Sequence, residues 1–118
     1  MYTTPASTFW PDTAGVPGWT PLIATPPYPD WTSGLNGLVG AASTVLAQLS
    51  PDGLMDLNLT SPTAGVTRHY DVAADMQHDA IDARVFSGIH FRTSDEVGAT
   101  TGTRVANWAL DHYFAPAN

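Results

Sequence analysis

The chain has no lysine and no cysteine, no long apolar run and few charges of any kind. Four arginines stand against eleven acidic residues, a net charge of -7 in 118 residues. That balance argues against a nucleic-acid or anionic-membrane surface, so any anion site has to be local. The lack of cysteine excludes a disulfide scaffold and thiolate metal centres but leaves the redox compartment open. No apolar stretch approaches the roughly eighteen residues that cross a bilayer. Met1-Tyr-Thr-Thr-Pro5 has neither the basic nor the apolar part of a secretory leader. Nothing in the sequence is therefore expected to direct the chain to a membrane or out of the cell. Asn58-Leu-Thr60 is a sequon that matters only if the protein is secreted. The length suits one small domain with a modest core.

What the chain does have is proline, placed at one end. Seven of its ten prolines fall in the first thirty residues, with Trp10, Trp19 and Tyr28 between them. Such a stretch forms neither a helix nor a central strand. It reads as an extended arm whose aromatics pack on something else, or as a peptide-like ligand for another protein. From Ser33 the pattern changes. Leu35, Leu38, Val39, Ala42, Val45, Leu46 and Leu49 keep the three-four spacing of one helical face. Ser33 is the expected N-cap and Ser50-Pro51-Asp52-Gly53 the stop. Gly34, Gly37 and Gly40 weaken that helix, which implies close packing or backbone kept bare for a ligand.

Residues 51–67 read as a loop with a brief apolar alternation between Leu54 and Leu59, too short to predict a sheet. A second helix is expected from Tyr70 or Asp71 to a break at Gly88, with Asp71, Asp75, Asp79 and Asp82 on its other face. Thr93-Ser-Asp-Glu96 reads as a capping box opening a third helix that runs to about Phe114. The predicted fold is all-α, a partial bundle of three amphipathic helices over residues 33–118, preceded by the proline-rich arm over residues 1–32. Three such helices leave apolar faces uncovered, so the chain is expected to pair with a missing N-terminal half or with a second copy.

The most informative stretch is Asp82-Ala-Arg84-Val-Phe-Ser-Gly88-Ile-His90-Phe-Arg92. On one continuous helix Arg84 and His90 would point about 120° apart and lie about 9 Å apart along the axis. A left-handed exit at Gly88 lets His90 fold back toward Arg84, so that both meet one small anion. Arginine offers a planar fork of donors to an oxyanion, and histidine serves as nucleophile, acid or metal ligand near neutral pH. An ordinary surface ion beside a structural histidine is the plain alternative.

Pro26-Pro-Tyr-Pro-Asp-Trp-Thr-Ser-Gly34 ahead of a small-residue helix, then Asp82-Ala-Arg84 and Gly88-Ile-His-Phe-Arg92, resembles the vanadium-dependent haloperoxidases. Ala106-Asn-Trp-Ala-Leu-Asp-His-Tyr-Phe114 adds a matching flank. These peroxidases, which are oxidoreductases, share an all-α bundle and an oxyanion site with the type 2 phosphatidic acid phosphatases. The resemblance implies the C-terminal portion of such a protein and a vanadate or phosphate site. Ser33 and the Gly34 amide would bind the oxyanion, Arg84 would balance its charge, and His90 would attack phosphorus or coordinate vanadium. Vanadate is the implied cofactor, with peroxide and halide as reactants of the intact family, or a phosphomonoester in the hydrolytic branch.

The chain departs from the family pattern at three points. Leu35, with Asn36 beside it, occupies the position of the second-motif histidine, and leucine moves no proton. The first motif, a lysine and an arginine, is absent. Ser94 stands where an aspartate commonly orients the histidine, with Asp95 one residue on, free to orient His90 or to serve the helix dipole. The isolated chain is therefore expected to be inactive, and a non-catalytic helical binding or assembly module is the alternative. Elsewhere, His78 with Asp75, Asp79 and Asp82 has spacing for a divalent cation or for a solvated acidic face. His69 beside Arg68 could lend the site a cation. Phe86 and Phe91 could wall a pocket, and Trp108 with His112 reads as core or interface.

Overall fold

Small residues set the central packing. In the computed structural model, which describes residues 16–113, α1 spans Gly34–Leu49, α2 Ala73–Phe86 and α3 Arg92–Tyr113. Asn36 bonds to Asp95, Thr44 to Thr103 and Gln48 to Asn107, each pair 59 residues apart. A constant offset along both helices means that α1 and α3 run parallel. Their backbones nearly touch. A Cβ built on Gly102 would collide with the Gly37 carbonyl, and one on Gly40 with the backbone of Ala99. Of the glycines that open α1, Gly37 and Gly40 therefore serve close packing, whereas Gly34 faces open space.

The predicted all-α fold is present, with one addition. Leu57–Thr60 (β1) and Thr67–Tyr70 (β2) pair antiparallel between α1 and α2, Leu57 opposite Tyr70 and Thr60 opposite Thr67. The expected loop thus contains a hairpin. Its strands are four residues each and mostly exposed, so they lack the sustained apolar alternation that reveals a strand in sequence. Because Tyr70 is paired in β2, the second helix starts at Ala73 rather than at Tyr70 or Asp71. Tyr70 ties the hairpin to that helix by donating its hydroxyl to Asp79 at 2.9 Å.

The third helix begins at Arg92, so Thr93-Ser-Asp-Glu96 is its first turn and not a cap ahead of it. The expected end at Phe114 and the arm over residues 1–15 lie outside the described residues. Residues 16–33 carry no helix or strand. They cross the end of α2, where Leu22 donates to the Ser87 carbonyl at 3.0 Å and the Trp19 ring lies over Gly88.

The apolar stripe of α1 exists, but it faces outward. Asn36, Gly40, Ser43 and Thr44 are the buried residues of the helix. Leu38 and Leu49 are 67% and 69% exposed. An amphipathic helix ordinarily turns its apolar side to the core; here the glycine seam with α3 selects small and polar residues on the inner side. Buried apolar side chains among the described residues are few: Ile81, Ile89, Ala99 and Ala106. Phe86 and Phe91 stand out from the surface.

Gly102→Ala is expected to lower stability by about 1–3 kcal/mol, because the helices must part to admit the methyl group. Urea unfolding measures it, with Gly34→Ala, whose methyl group meets nothing within 4 Å, as the control that is not destabilised. A second expectation concerns Tyr70, whose hydroxyl is pushed above its ordinary value of 10.0 by burial and then by the Asp79 carboxylate that accepts from it. The folded chain holds this proton more tightly than the unfolded one. The resulting stability is full below pH 10 and is lost as pH rises through the raised folded value. Following the phenolate absorbance of Asp79→Asn should show this tyrosine titrating part of the way back.

Candidate functional site

The Gly88 break brings Arg84 and His90 together. Gly88 has φ +73, and the Ile89 amide reaches back to the Arg84 carbonyl at 3.4 Å, closing the helix end in the left-handed manner glycine permits. His90 then folds back until its Nε2 lies 3.5 Å from Arg84 Nη2. On the other side of the ring, His90 Nδ1 is 2.7 Å from Asp95 Oδ1. Both side chains are almost wholly buried, at 1% and 0% exposure.

This pairing sets the tautomer. An ionised carboxylate only accepts, so Nδ1 carries the proton and Nε2 presents its lone pair toward Arg84. Asp95 lies in the first turn of α3, where the helix dipole favours its negative charge. The same carboxylate oxygen accepts from Asn36 Nδ2 at 2.7 Å, and Asn36 Nδ2 is 3.2 Å from Ser33 Oγ. Ser33 caps α1 by accepting from the Asn36 amide at 3.3 Å. A continuous polar chain thus runs Ser33–Asn36–Asp95–His90–Arg84 through the start of α1, the start of α3 and the end of α2. Gly34 is exposed as the first residue of α1.

Three contributors escaped the sequence reading. Tyr28, counted there as an arm aromatic, accepts from Arg84 Nη2 and meets the His90 ring edge-on, centroids 6.1 Å apart. Asp30 places a second carboxylate 3.8 Å from His90 Nδ1, and its carbonyl accepts from Ser94 Oγ. Asn36 is fully buried while Leu35 beside it is 42% exposed. A signal existed for each: Tyr28 and Asp30 belong to the Pro26-to-Gly34 motif, and Asn36 stands three residues after an N-cap serine. Arg84 Nε, Asp30 Oδ1, Asn36 Oδ1 and Asp95 Oδ2 are buried atoms without a partner among the described residues.

A family model, the VCPO second helical-bundle domain, matches residues 11–118. The chain belongs to this vanadium haloperoxidase family. No curated protein and no solved structure matches it. For a haloperoxidase domain the polar chain ending on Arg84 and His90 is the feature of interest, and the other sequence candidates lie apart from it. His69 is held in the hairpin between Asn58 and Asp71 and lends this centre no cation. Asp79 is engaged by Arg68 and Tyr70, and Asp82 by Arg92, so two of the three α2 carboxylates are already partnered. Trp108 and His112 stack at 4.7 Å on exposed α3.

Asn36→Leu should be costly despite its similar size, because it leaves the buried Asp95 carboxylate short of a donor. A loss of about 1–3 kcal/mol is expected. A double-mutant cycle with Asp95→Asn should return a coupling of at least about 0.5 kcal/mol.

Proposed function

We propose that this chain supplies part of an oxyanion site of the haloperoxidase and phosphatase kind, with Arg84 and His90 as the groups that meet the anion. The observation that carries this reading is their convergence at 3.5 Å, with His90 Nδ1 committed to Asp95 and Arg84 Nε buried without a partner. The unsatisfied guanidinium donor suits the oxygens of a tetrahedral or five-coordinate oxyanion, and the Nε2 lone pair on the Arg84 side suits its central atom. Ser33 and the Gly34 amide join them from the helix N-terminus, where backbone dipoles favour negative charge. Vanadate, when bound, supplies peroxide-dependent halide oxidation, and His90 is the residue that would ligate it. Toward a phosphomonoester, the same Nε2 lone pair would attack phosphorus while Asp95 stabilises the charge gained by the ring.

The leaving oxygen must then gain a proton, and Leu35 has none to give. The cationic side is equally thin. Arg68 and Arg92 are paired with Asp79 and Asp82, and Asp30 and Asp95 both flank His90. Residues from outside this chain are needed to complete the charge balance, so the 118-residue chain binds an oxyanion but does not turn over. The second reading, a non-catalytic helical module, draws on Leu35 alone: an exposed leucine at the acid-base position serves contact rather than chemistry.

A calorimetric melt with and without millimolar vanadate tests the site. Vanadate at ten times its Kd should stabilise the chain by about 1.4 kcal/mol, and His90→Ala and Arg84→Ala should each abolish the rise. No shift, or one that survives both substitutions, rejects the proposal. Halide oxidation by the unmodified chain alone would contradict its dependence on outside residues.

A further inference from the structure

The outward face of α1 reads the same in both directions. The helix contains no charged residue and no histidine over its sixteen positions. Its buried side is polar and small, while Leu35, Leu38, Leu46 and Leu49 stand 42%, 67%, 43% and 69% exposed, with Ala42 exposed among them. Counting outward from Ala42, valines stand three residues away on each side (Val39, Val45), leucines four away (Leu38, Leu46) and leucines seven away (Leu35, Leu49). The amide side chains Asn36 and Gln48 stand six away. A two-fold axis asks for this property and a heterologous contact does not. In an isologous pair of antiparallel helices, the residue k positions before the axis meets the residue k positions after it on the other copy.

We infer that α1 is a homodimerisation helix, with two copies of this chain packed antiparallel across an axis at Ala42. Leu38 of each copy meets Leu46 of the other, and Leu35 meets Leu49. Ala42 is the smallest residue of the stripe and lies at the crossing, where a short side chain lets the helices approach within the usual 8–10 Å. The three-four spacing supplies the seam for that crossing.

Charge points to the same occupant. A chain of net charge -7 meets its own copy at low cost only across a face that carries none. The exposed apolar residues of α3, Val105 and Trp108, lie among Arg104, Asp111 and His112 and have no such reversal. The inference is independent of the oxyanion site, yet it accounts for one departure there: Leu35 ends the stripe, so a leucine at that position has an apolar partner. The stripe is about 21 Å long at the helical rise. A seam of that length is a small interface, in the class below about 1,200 Å² where contacts are weak or transient.

Sedimentation equilibrium of the 118-residue chain tests this. The average mass should climb with concentration from 12.5 kDa to twice that value and stop there. Leu38→Glu should hold the chain monomeric with its helical circular dichroism unchanged, since Leu38 is 67% exposed and the monomer loses nothing. Val105→Glu should still dimerise. Because the chain has no cysteine, single thiols report the register. Ala42→Cys should oxidise to a linked dimer, the equivalent positions lying within the roughly 7 Å Cα separation a disulfide spans. Leu35→Cys should not link to itself but should link to Leu49→Cys in a mixture. A chain that stays monomeric, leaving the stripe to some other partner, overturns the inference. So do growth past the dimer, a Leu38→Glu chain that still pairs, or self-linking of Leu35→Cys.

Discussion

One carboxylate oxygen holds the domain's ends together. Asp95 Oδ1 accepts from Asn36 Nδ2 and from His90 Nδ1, each at 2.7 Å, in a place with no solvent exposure. A buried carboxylate is costly unless its partners are in place. The first turn of α3 supplies the dipole that favours its charge, α1 supplies the amide, and the segment after Gly88 supplies the imidazole. Each element is thereby positioned against the other two. The histidine's orientation is a consequence of the same bond that docks α1 to α3.

The glycine seam makes that docking possible. Gly37, Gly40 and Gly102 let α1 and α3 run parallel with their backbones almost in contact, which brings the two helix N-termini to the same level. Asn36 and Asp95 meet because of this register, and so do Thr44 with Thr103 and Gln48 with Asn107. Close backbone approach favours small and polar side chains on the inner faces. It follows that the leucines of α1 are turned out, that the buried apolar set is small, and that much of the apolar surface is exposed. The exposed stripe and the polar centre are two results of one packing choice.

In this chain Arg84 stands at the centre while carboxylates of Asp30 and Asp95 press on His90 from the Nδ1 side. Those carboxylates fix the ring and leave Nε2 available, but they add no attraction for an anion. Cation and carboxylates thus stand on opposite sides of one buried imidazole.

The sequence by itself determined the elements whose causes are local. Three-four spacing located α1, the positive-φ preference of glycine located the break at Gly88, and the Arg84 and His90 motif with its proline-rich partner marked the family. The hairpin's four-residue, mostly exposed strands left only the brief alternation between Leu54 and Leu59, too short to predict a sheet. Only the tertiary structure decided which side of α1 faces inward, because spacing identifies an apolar stripe but not what lies opposite it. It alone placed Asn36, Tyr28 and Asp30 around His90, since these contacts cross 59 to 62 residues of chain and depend on how closely two glycine-lined backbones can approach.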